Sequence, residues 1–307
     1  MHVSKRDFLT VTDFTRSELD SLFDLAVRMK RDRSGLRPFG GGSAALVFKK
    51  PSLRTRASFD IGVHELGGHP MYITDQEIGL GKRESVYDIA QVLSRFVRLI
   101  MIRTFEHSEI EELAAAATVP VVNGLTNSYH PCQIIADLLT VYEHKGHIDG
   151  LTISYLGDGN NVAHSWLMAA ERYDITLRIG TVAENDPDPE ILEHARTHAV
   201  GRVEVVRDPL AAADGADVLY TDVWASMGQK DRAEENRRRL AAFQINEELL
   251  SAAAQDAIVL HCLPANRGEE ITDAVMDGPQ SRVFDEAENR LHAQKAIMHV
   301  LLAGFDE

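Results

Sequence analysis

The sequence predicts an α/β protein built from two doubly wound domains with mostly parallel sheets. Three observations carry that expectation. Short β-rich runs alternate with amphipathic ones through most of the chain, four such runs precede residue 140 and five follow it, and no internal repeat, low-complexity tract or sustained heptad pattern points elsewhere. With 307 residues, 44% of them apolar and 26% charged, the chain is long enough to bury two cores.

The elements follow in order. An initial helix opens at Thr15, where Glu18 has capping-box spacing, each side chain answering the other residue's free backbone N–H. The first four strands are "AALVF" (44–48), "PMYI" (70–73), "RLIMIRT" (98–104) and "VPVV" (119–122). Among them, Phe59, Val63 and Leu66 mark one face of a helix, Val86, Ile89, Leu93 and Phe96 predict a buried helical stripe, and Ser108 with Glu111 repeats the capping-box spacing. The later strands are "LTISYLG" (151–157), "TLRIGTV" (176–182), "VEVV" (203–206), "VLYTDV" (218–223) and "IVLHCLP" (258–264). The expected boundaries are 1–138 for the first domain and 139–288 for the second, joined near a helix that begins at Pro131. A helical segment at 291–304 returns residues 289–307 to the first domain.

Charge narrows the function. With 32 basic against 47 acidic residues, net −15, the charge argues against nucleic acid and anionic lipid as partners, since both require a basic face. No run approaches the ~20 apolar residues of a membrane span, and "MHVSKRDFLT" has no apolar segment of signal-peptide length. Cys132 and Cys262, the only two cysteines, lie far apart in sequence, which points to a reducing cytoplasm rather than a disulfide framework.

Five segments carry candidate chemistry. In "FKKPSLRTRASF" (48–59) a strand-to-helix turn gathers Ser52, Arg54, Thr55 and Arg56 at a positive helix end, either a phosphate site or an ordinary N-cap with solvated arginines. In "NSYHPCQIIADLL" (127–139) Pro131 suits the first helical position, which sets His130 at the helix entrance and Gln133 in its first turn; the alternative is a loop or core histidine. "YTDVWASMG" (220–228) offers Asp222, Ser226 and Met227, a loop able to hold an ammonium group beside an apolar stem, or a turn around a buried tryptophan. "HCLPANRGEE" (261–270) puts the Cys262 thiol at the end of an apolar strand, where α/β sheets present their ligand crevice, or else a structural cysteine in the core. In "YLGDGNNVAHS" (155–165), Gly157 and Gly159, with Glu184 after the next strand, imitate a dinucleotide fingerprint, but Val162 replaces the third glycine. His130, Cys132, His261 and Cys262 lack zinc-site spacing, so no metal is expected.

In order and together these segments resemble the transcarbamylase family over nearly the whole chain. The first is similar to the family's carbamoyl-phosphate signature F-x-[EK]-x-S-x-R-T, and "HPCQ" with "ADLLT", "DVWASMG", "HCLPA" and "FDEAENRLHAQKA" (284–296) follow in the family's sequence. Within the family, "HCLP" and "SMG" indicate ornithine rather than aspartate as acceptor. The resemblance implies that carbamoyl phosphate binds the first domain, L-ornithine the second, and that the active species is a homotrimer or a multiple of one, with no metal or organic cofactor. It implies Ser52, the Leu53 amide, Arg54, Thr55 and Arg290 around phosphate, Gln133 on the carbamoyl amide, and Arg103, His130 and Thr55 on the carbamoyl oxygen. It implies Asn161, with Asn160 as substitute, Asp222, Ser226 and Met227 for the amino-acid end of ornithine, and Cys262 with the Leu263 carbonyl for the reacting amine. Three positions depart from the pattern. Leu53 stands where glycine or threonine is usual, Asn266 where histidine is common, and Gly79 where relatives carry a glutamine or histidine that reaches carbamoyl phosphate, with Lys82 or Arg83 as substitutes. The remaining readings are a carbamoyltransferase for another amine, such as putrescine or an N-acylornithine, and a catalytically silent binding protein on the same fold.

Overall fold

The computed structural model describes residues 5–33, 35–81, 83–225 and 230–305. They form two compact units, one made by the chain up to Leu139 together with the segment from Glu288, the other by Thr140–Ala287. In chain order the first unit holds α1 (Arg16–Arg31), β1 (Ser43–Phe48), α2 (Leu53–Glu65), β2 (His69–Thr74), α3 (Asp75–Ile78), α4 (Val86–Phe96), β3 (Leu99–Arg103), α5 (His107–Ala116), β4 (Val121–Leu125) and the start of α6 (Pro131–Lys145). There follow β5 (Thr152–Leu156), α7 (Asn161–Ala170), β6 (Thr176–Gly180), α8 (Pro189–His198), β7 (Arg202–Val206), α9 (Pro209–Ala213), β8 (Val218–Thr221), α10 (Lys230–Leu240), α11 (Glu247–Ala252), β9 (Ile258–His261), α12 (Asp273–Met276) and α13 (Val283–Ala303).

Both sheets are wholly parallel among the described residues. The first has the order β2-β1-β3-β4 and the second β7-β6-β5-β8-β9. In each sheet the chain builds outward one way and then reverses, between β1 and β3 in the first unit and between β5 and β8 in the second. Strands covered on both faces need apolar residues at successive positions, and Ala44–Val47 and Leu99–Ile102 are buried throughout. Ala45, Val47, Ile100 and Ile102 form one core with Ile89 and Leu93 of α4 and Ile110 and Leu113 of α5. In the second unit Leu156, Leu219 and Val259 pack with Ala212, Leu249 and Val275. On the opposite face Tyr220 stacks on Tyr155 at 5.7 Å between ring centroids and takes the edge of Trp166 at 5.6 Å. The segment of α13 that belongs to the first unit lies close against α2, where a Cβ on Gly62 would stand 3.0 Å from Met298 Cε and 3.3 Å from Lys295 Cγ. No described helix is long and apolar enough to cross a membrane.

All nine expected strands are present, with shifted ends. The fourth runs Val121–Leu125 rather than 119–122, because Pro120 has no N–H to give the ladder and pairing with β3 starts at Val121 opposite Ile100. β8 and β9 stop at Thr221 and His261, which leaves Asp222 and Cys262 just past the strand ends. The last helix begins at Val283, earlier than the expected 291.

Two helix expectations are corrected. The Thr15–Glu18 capping box forms, with the Thr15 N–H donating to Glu18 Oε2 at 2.8 Å and the Glu18 N–H to Thr15 Oγ1 at 3.3 Å. Ser108 caps nothing. The helix starts at His107, with Glu106 as N-cap, because Glu109 is drawn to Lys49 Nζ at 2.6 Å and to the Thr104 hydroxyl, while Glu111 faces His107. In the α4 stripe Val86, Ile89 and Leu93 are buried, but Phe96 is 69% exposed. Four residues after Leu93 the buried position falls to Val97, as helical geometry requires.

Thr15→Ala should therefore lower stability by about 1 kcal/mol. Ser108→Ala should change it by less than about 0.5 kcal/mol. Urea midpoints at unchanged slope measure both, and equal losses would contradict the assigned caps.

Candidate active site

Among the described residues, those singled out from sequence lie at strand ends or helix starts of their own unit, apart from Arg290 within α13, and each unit is described separately.

In the first unit β1 runs into Lys49, Lys50 and Pro51, and Ser52 is the N-cap of α2. Its hydroxyl accepts the Thr55 N–H at 3.3 Å and lies 3.1 Å from Thr55 Oγ1. Leu53, the first helical residue, has a side chain 80% exposed, so what it adds to this turn is its backbone N–H. Arg54 is half-buried at the same helix end, whereas the Arg56 guanidinium stacks 3.9 Å over the Tyr72 ring. Buried Arg290, from α13, ties the cluster together. Its Nη2 donates to Thr55 Oγ1 at 2.9 Å and its Nη1 to Gln133 Oε1 at 2.7 Å. Gln133 in turn donates from Nε2 to Asp137 Oδ1 at 2.7 Å, which fixes its amide orientation. Pro131 is the first residue of α6, so His130 stands at the helix entrance, as its sequence neighbourhood predicts.

Electrostatics set the protonation states here. His130 is buried, and burial together with the Arg290 and Arg103 guanidinium groups holds its pKa well below the usual imidazole value. At neutral pH it is therefore an uncharged ring with one N–H to donate. Cys132, two residues on, donates its S–H to the Asn123 carbonyl at 3.3 Å, and burial pushes its pKa up to about 12, so it is an inert core thiol.

Lys50 is a candidate the sequence reading passed over, although it lies between the strand end and Ser52. It is buried, donates from Nζ to Asn127 Oδ1 at 2.5 Å and sits 4.3 Å from the Phe105 ring centroid. Burial, reinforced by the Arg103 charge and opposed by Glu106, lowers its pKa to about 8. Gly79, by contrast, has a local structural cause. It ends α3 at φ 54°, and a Cβ there would stand 2.9 Å from Arg83 Cβ, so any larger side chain would be strained on this chain path. Arg83 donates to the Glu77 carbonyl at 2.8 Å, and Lys82 lies outside the described residues.

In the second unit Asp222, buried just past β8, is the hub. Its Oδ2 accepts from Asn160 Nδ2 at 2.9 Å, and its Oδ1 accepts from the Cys262 thiol at 2.9 Å and the Val223 N–H at 2.7 Å. Asn160 is also the N-cap of α7, accepting the Val162 N–H at 2.8 Å and the Tyr155 hydroxyl at 3.2 Å. The Asn160 side chain is thus held by Asp222 and the helix end, while Asn161 begins the helix beside it. Burial and the neighbouring Asp222 keep the Tyr155 phenol protonated, with its pKa well above the ordinary value. The loop after Asp222 is anchored by polar groups the sequence reading missed. Asn236 Nδ2 donates to the Trp224 carbonyl at 2.6 Å, and Asn185 Nδ2 donates to both Asn236 Oδ1 at 3.1 Å and Asp158 Oδ1 at 2.6 Å. Ser226 and Met227 lie outside the described residues.

Cys262 is half-buried, unlike Cys132. Leu263 follows it at φ 56°, the one non-glycine residue with positive φ among those described, a conformation that costs roughly 1–2 kcal/mol for a side chain with a Cβ. No group of three or more His, Cys, Asp or Glu side chains among the described residues is placed to hold a metal ion.

Chemically, the first unit presents arginines, a neutral imidazole, hydroxyls and a helix N-terminus, a set that fits a phosphate-bearing anion. The second presents a buried carboxylate joined to a thiol, which fits an ammonium group. Comparison with known proteins also divides the chain in two, with the second match running on through residues 288–301 of the first unit. Residues 6–143 match the family model described as aspartate/ornithine carbamoyltransferase, carbamoyl-P binding domain, and residues 149–301 match the Asp/Orn binding domain of the same family. The chain is 51% identical to an ornithine carbamoyltransferase of Acidothermus cellulolyticus over 97% of its own length and 96% of the relative's. It is 48% identical to that of Symbiobacterium thermophilum over 97% and 98%. Its fold is similar to the ornithine carbamoyltransferase structure from Pyrococcus furiosus, with TM-score 0.94, 42% identity and both chains covered completely.

The first unit yields a pH prediction. A bound anion favours charged Lys50, and the free lysine loses its proton as pH rises through about 8, so affinity for inorganic phosphate should fall across that pH. Lys50→Met should bind more weakly and lose this decline; Lys50→Arg should bind well and also lose it, because a guanidinium stays charged. Titration calorimetry at several pH values reads the slopes, and an unchanged slope in Lys50→Met would remove the lysine from the site.

Proposed function

The chain belongs to the aspartate/ornithine carbamoyltransferase family, and from that premise we propose that it transfers the carbamoyl group of carbamoyl phosphate to the side-chain amine of L-ornithine, giving L-citrulline and phosphate. The observation that carries the reading is Arg290, whose two hydrogen bonds join Thr55 to Gln133 at the helix entrances of an otherwise acidic protein.

The steps follow from the groups present. Ser52, the Leu53 amide, Arg54, Thr55 and Arg290 hold the phosphate of the donor, and Gln133 its carbamoyl amide. The ornithine amine must be neutral to attack, and from a lysine-like reference pKa of ~10.4 that costs about 4–5 kcal/mol at pH 7. A partly desolvated place beside Cys262 and the Leu263 carbonyl lowers this cost. Asp222 takes the α-ammonium group, with Asn161, Ser226 and Met227 completing the amino-acid end. As nitrogen attacks, negative charge grows on the carbamoyl oxygen, and Arg103, neutral His130 and Thr55 donate to it; losing one such donor typically costs about 10²–10³ in rate. The C–O bond to phosphate then breaks, and one N–H proton of the attacking amine leaves with the departing group as hydrogen phosphate. Putrescine and N-acylornithine are weaker acceptor candidates, because neither supplies the free α-amino and carboxylate pair that a buried Asp222 and its neighbours suit.

We place the working species in the cytoplasm as a homotrimer or a multiple of one. Exposed apolar groups of the first unit, Leu53, Tyr87 and Phe96, support an assembly that covers them.

Three measurements test these readings. Citrulline should form from carbamoyl phosphate and ornithine, much faster than carbamoylation of putrescine, and Asp222→Asn should lose most of that preference. Arg54→Ala should lose detectable carbamoyl-phosphate binding in calorimetry with its circular dichroism unchanged. Equal turnover of the two amines by the wild type, or undiminished donor affinity in Arg54→Ala, would contradict the respective assignment. Light scattering should give a trimer or a multiple of it, and a fully active monomer would end that proposal.

A further inference from the structure

His261 is the last residue of β9 and is fully buried, yet its two ring nitrogens are committed to the segment that follows. Ring atom Nδ1 lies 2.9 Å from the Leu263 nitrogen and accepts its N–H. Ring atom Nε2 lies 3.0 Å from Oε1 of Glu270, which is also fully buried and takes the Asn266 N–H at 2.5 Å. The His261 backbone N–H donates to Glu286 Oε2 at 2.8 Å. A nitrogen that accepts carries no proton, so the ring proton sits on Nε2 and is given to Glu270. The ring is therefore held from one side by a carboxylate and presents its lone pair to Leu263 from the other.

That lone pair governs a particular peptide. The Leu263 N–H and the Cys262 carbonyl belong to one planar group, so fixing the N–H fixes the whole plane that separates the Cys262 thiol from the Leu263 carbonyl. Leu263 is also the non-glycine residue at positive φ, a conformation its own side chain opposes and the His261 bond helps hold. An acceptor and a donor on opposite sides of one rigid ring are needed to brace that peptide against Glu270. Imidazole supplies both; asparagine or glutamine reaches one of the two positions but not both.

On the reading that Cys262 and the Leu263 carbonyl receive the ornithine amine, we propose that His261 is a positioning residue for the acceptor, bracing the Cys262–Leu263 peptide against Glu270 without itself touching substrate. A histidine that merely filled the core would affect folding and leave the acceptor constants of the folded protein alone.

The test is a double-mutant cycle on the full-length enzyme, with ornithine varied at saturating carbamoyl phosphate. His261→Gln should raise the ornithine KM by about tenfold and lower kcat, the scale of one lost hydrogen bond. Carbamoyl-phosphate affinity by calorimetry should stay within about twofold, since its ligands lie in the other unit. Leu263→Gly relieves the conformational demand, because glycine adopts positive φ freely, so in that background His261→Gln should change KM by less than about threefold. Equal losses in both backgrounds, or donor affinity falling alongside, would overturn the proposal. If His261→Gln does not fold, Glu270→Gln, which keeps the shape and an acceptor oxygen but removes the charge, runs the same cycle. It should raise KM by about threefold in the wild-type background and leave it unchanged with Leu263→Gly, and additivity there overturns the proposal equally. Absence of citrulline formation in the wild type would instead refute the functional reading on which the proposal stands.

Discussion

A parallel sheet delivers the C-terminal end of every strand to one edge, and a chain that winds first one way and then the other leaves a crevice at that edge where its direction reverses. The candidate groups of each unit, taken separately, follow from this constraint. In the first unit the reversal lies between β1 and β3, and these strands end at the Lys49–Thr55 turn and at Arg103. In the second it lies between β5 and β8, which lead into Asn160 and Asp222, with β9 bringing Cys262 alongside. Helices that begin after strand ends, α2 after β1, α6 after β4 and α7 after β5, then add N-terminal N–H groups to side chains already gathered by the sheet.

The acidic composition sharpens what the first half must do. Charges beyond a Debye length of about 8 Å are largely screened at physiological salt, so the chain's net charge of −15 matters less to a bound anion than the cations immediately around it. Those cations act on one another as well. Arg290 and Arg103 add to the burial that keeps His130 neutral, and Arg103 adds to the burial that brings Lys50 near titration. Clustering positive charge thus produces an uncharged donor at His130, where a protonated imidazole would have added another cation to the cluster.

What could be read beforehand was whatever a local pattern encodes. Alternating runs exposed all nine strands, Ser52 before a helical face gave the N-cap of α2, and Pro131 gave the start of α6. What was missed depends on partners distant in sequence. Ser108 has the spacing of a capping box, but Glu109 is bound by Lys49 and Thr104 from two other segments, and the helix starts elsewhere. Lys50 has the same residue type as Lys49, and only burial beside Phe105 and Asn127 separates it from a surface charge paired with Glu109. Asn185 and Asn236, which secure the Trp224 loop, have no motif at all. Gly79 shows the converse, a departure from the family's pattern whose cause is the left-handed end of a short helix.

The two halves reach their geometry by different means. In the first unit the ligand groups sit on helix entrances in ordinary backbone conformations, cross-linked by Arg290 through hydrogen bonds to Thr55 and Gln133. In the second, the segment after β9 requires Leu263 in a conformation worth roughly 1–2 kcal/mol of strain, which persists only where the surroundings over-determine it. The surroundings here are polar and buried. His261, Glu270 and Glu286 have no exposure; the His261 ring accepts the Leu263 N–H, Glu270 faces that ring and accepts the Asn266 N–H, and Glu286 accepts the His261 backbone N–H. Buried polar groups of this kind are destabilising unless hydrogen-bonded, so the bonds that satisfy His261 and one oxygen of Glu270 are the same ones that hold the strained peptide. On the proposed function, a donor that needs only charge and N–H groups is served by helix ends, whereas an amine that must be aimed at a carbon calls for the rigid alternative.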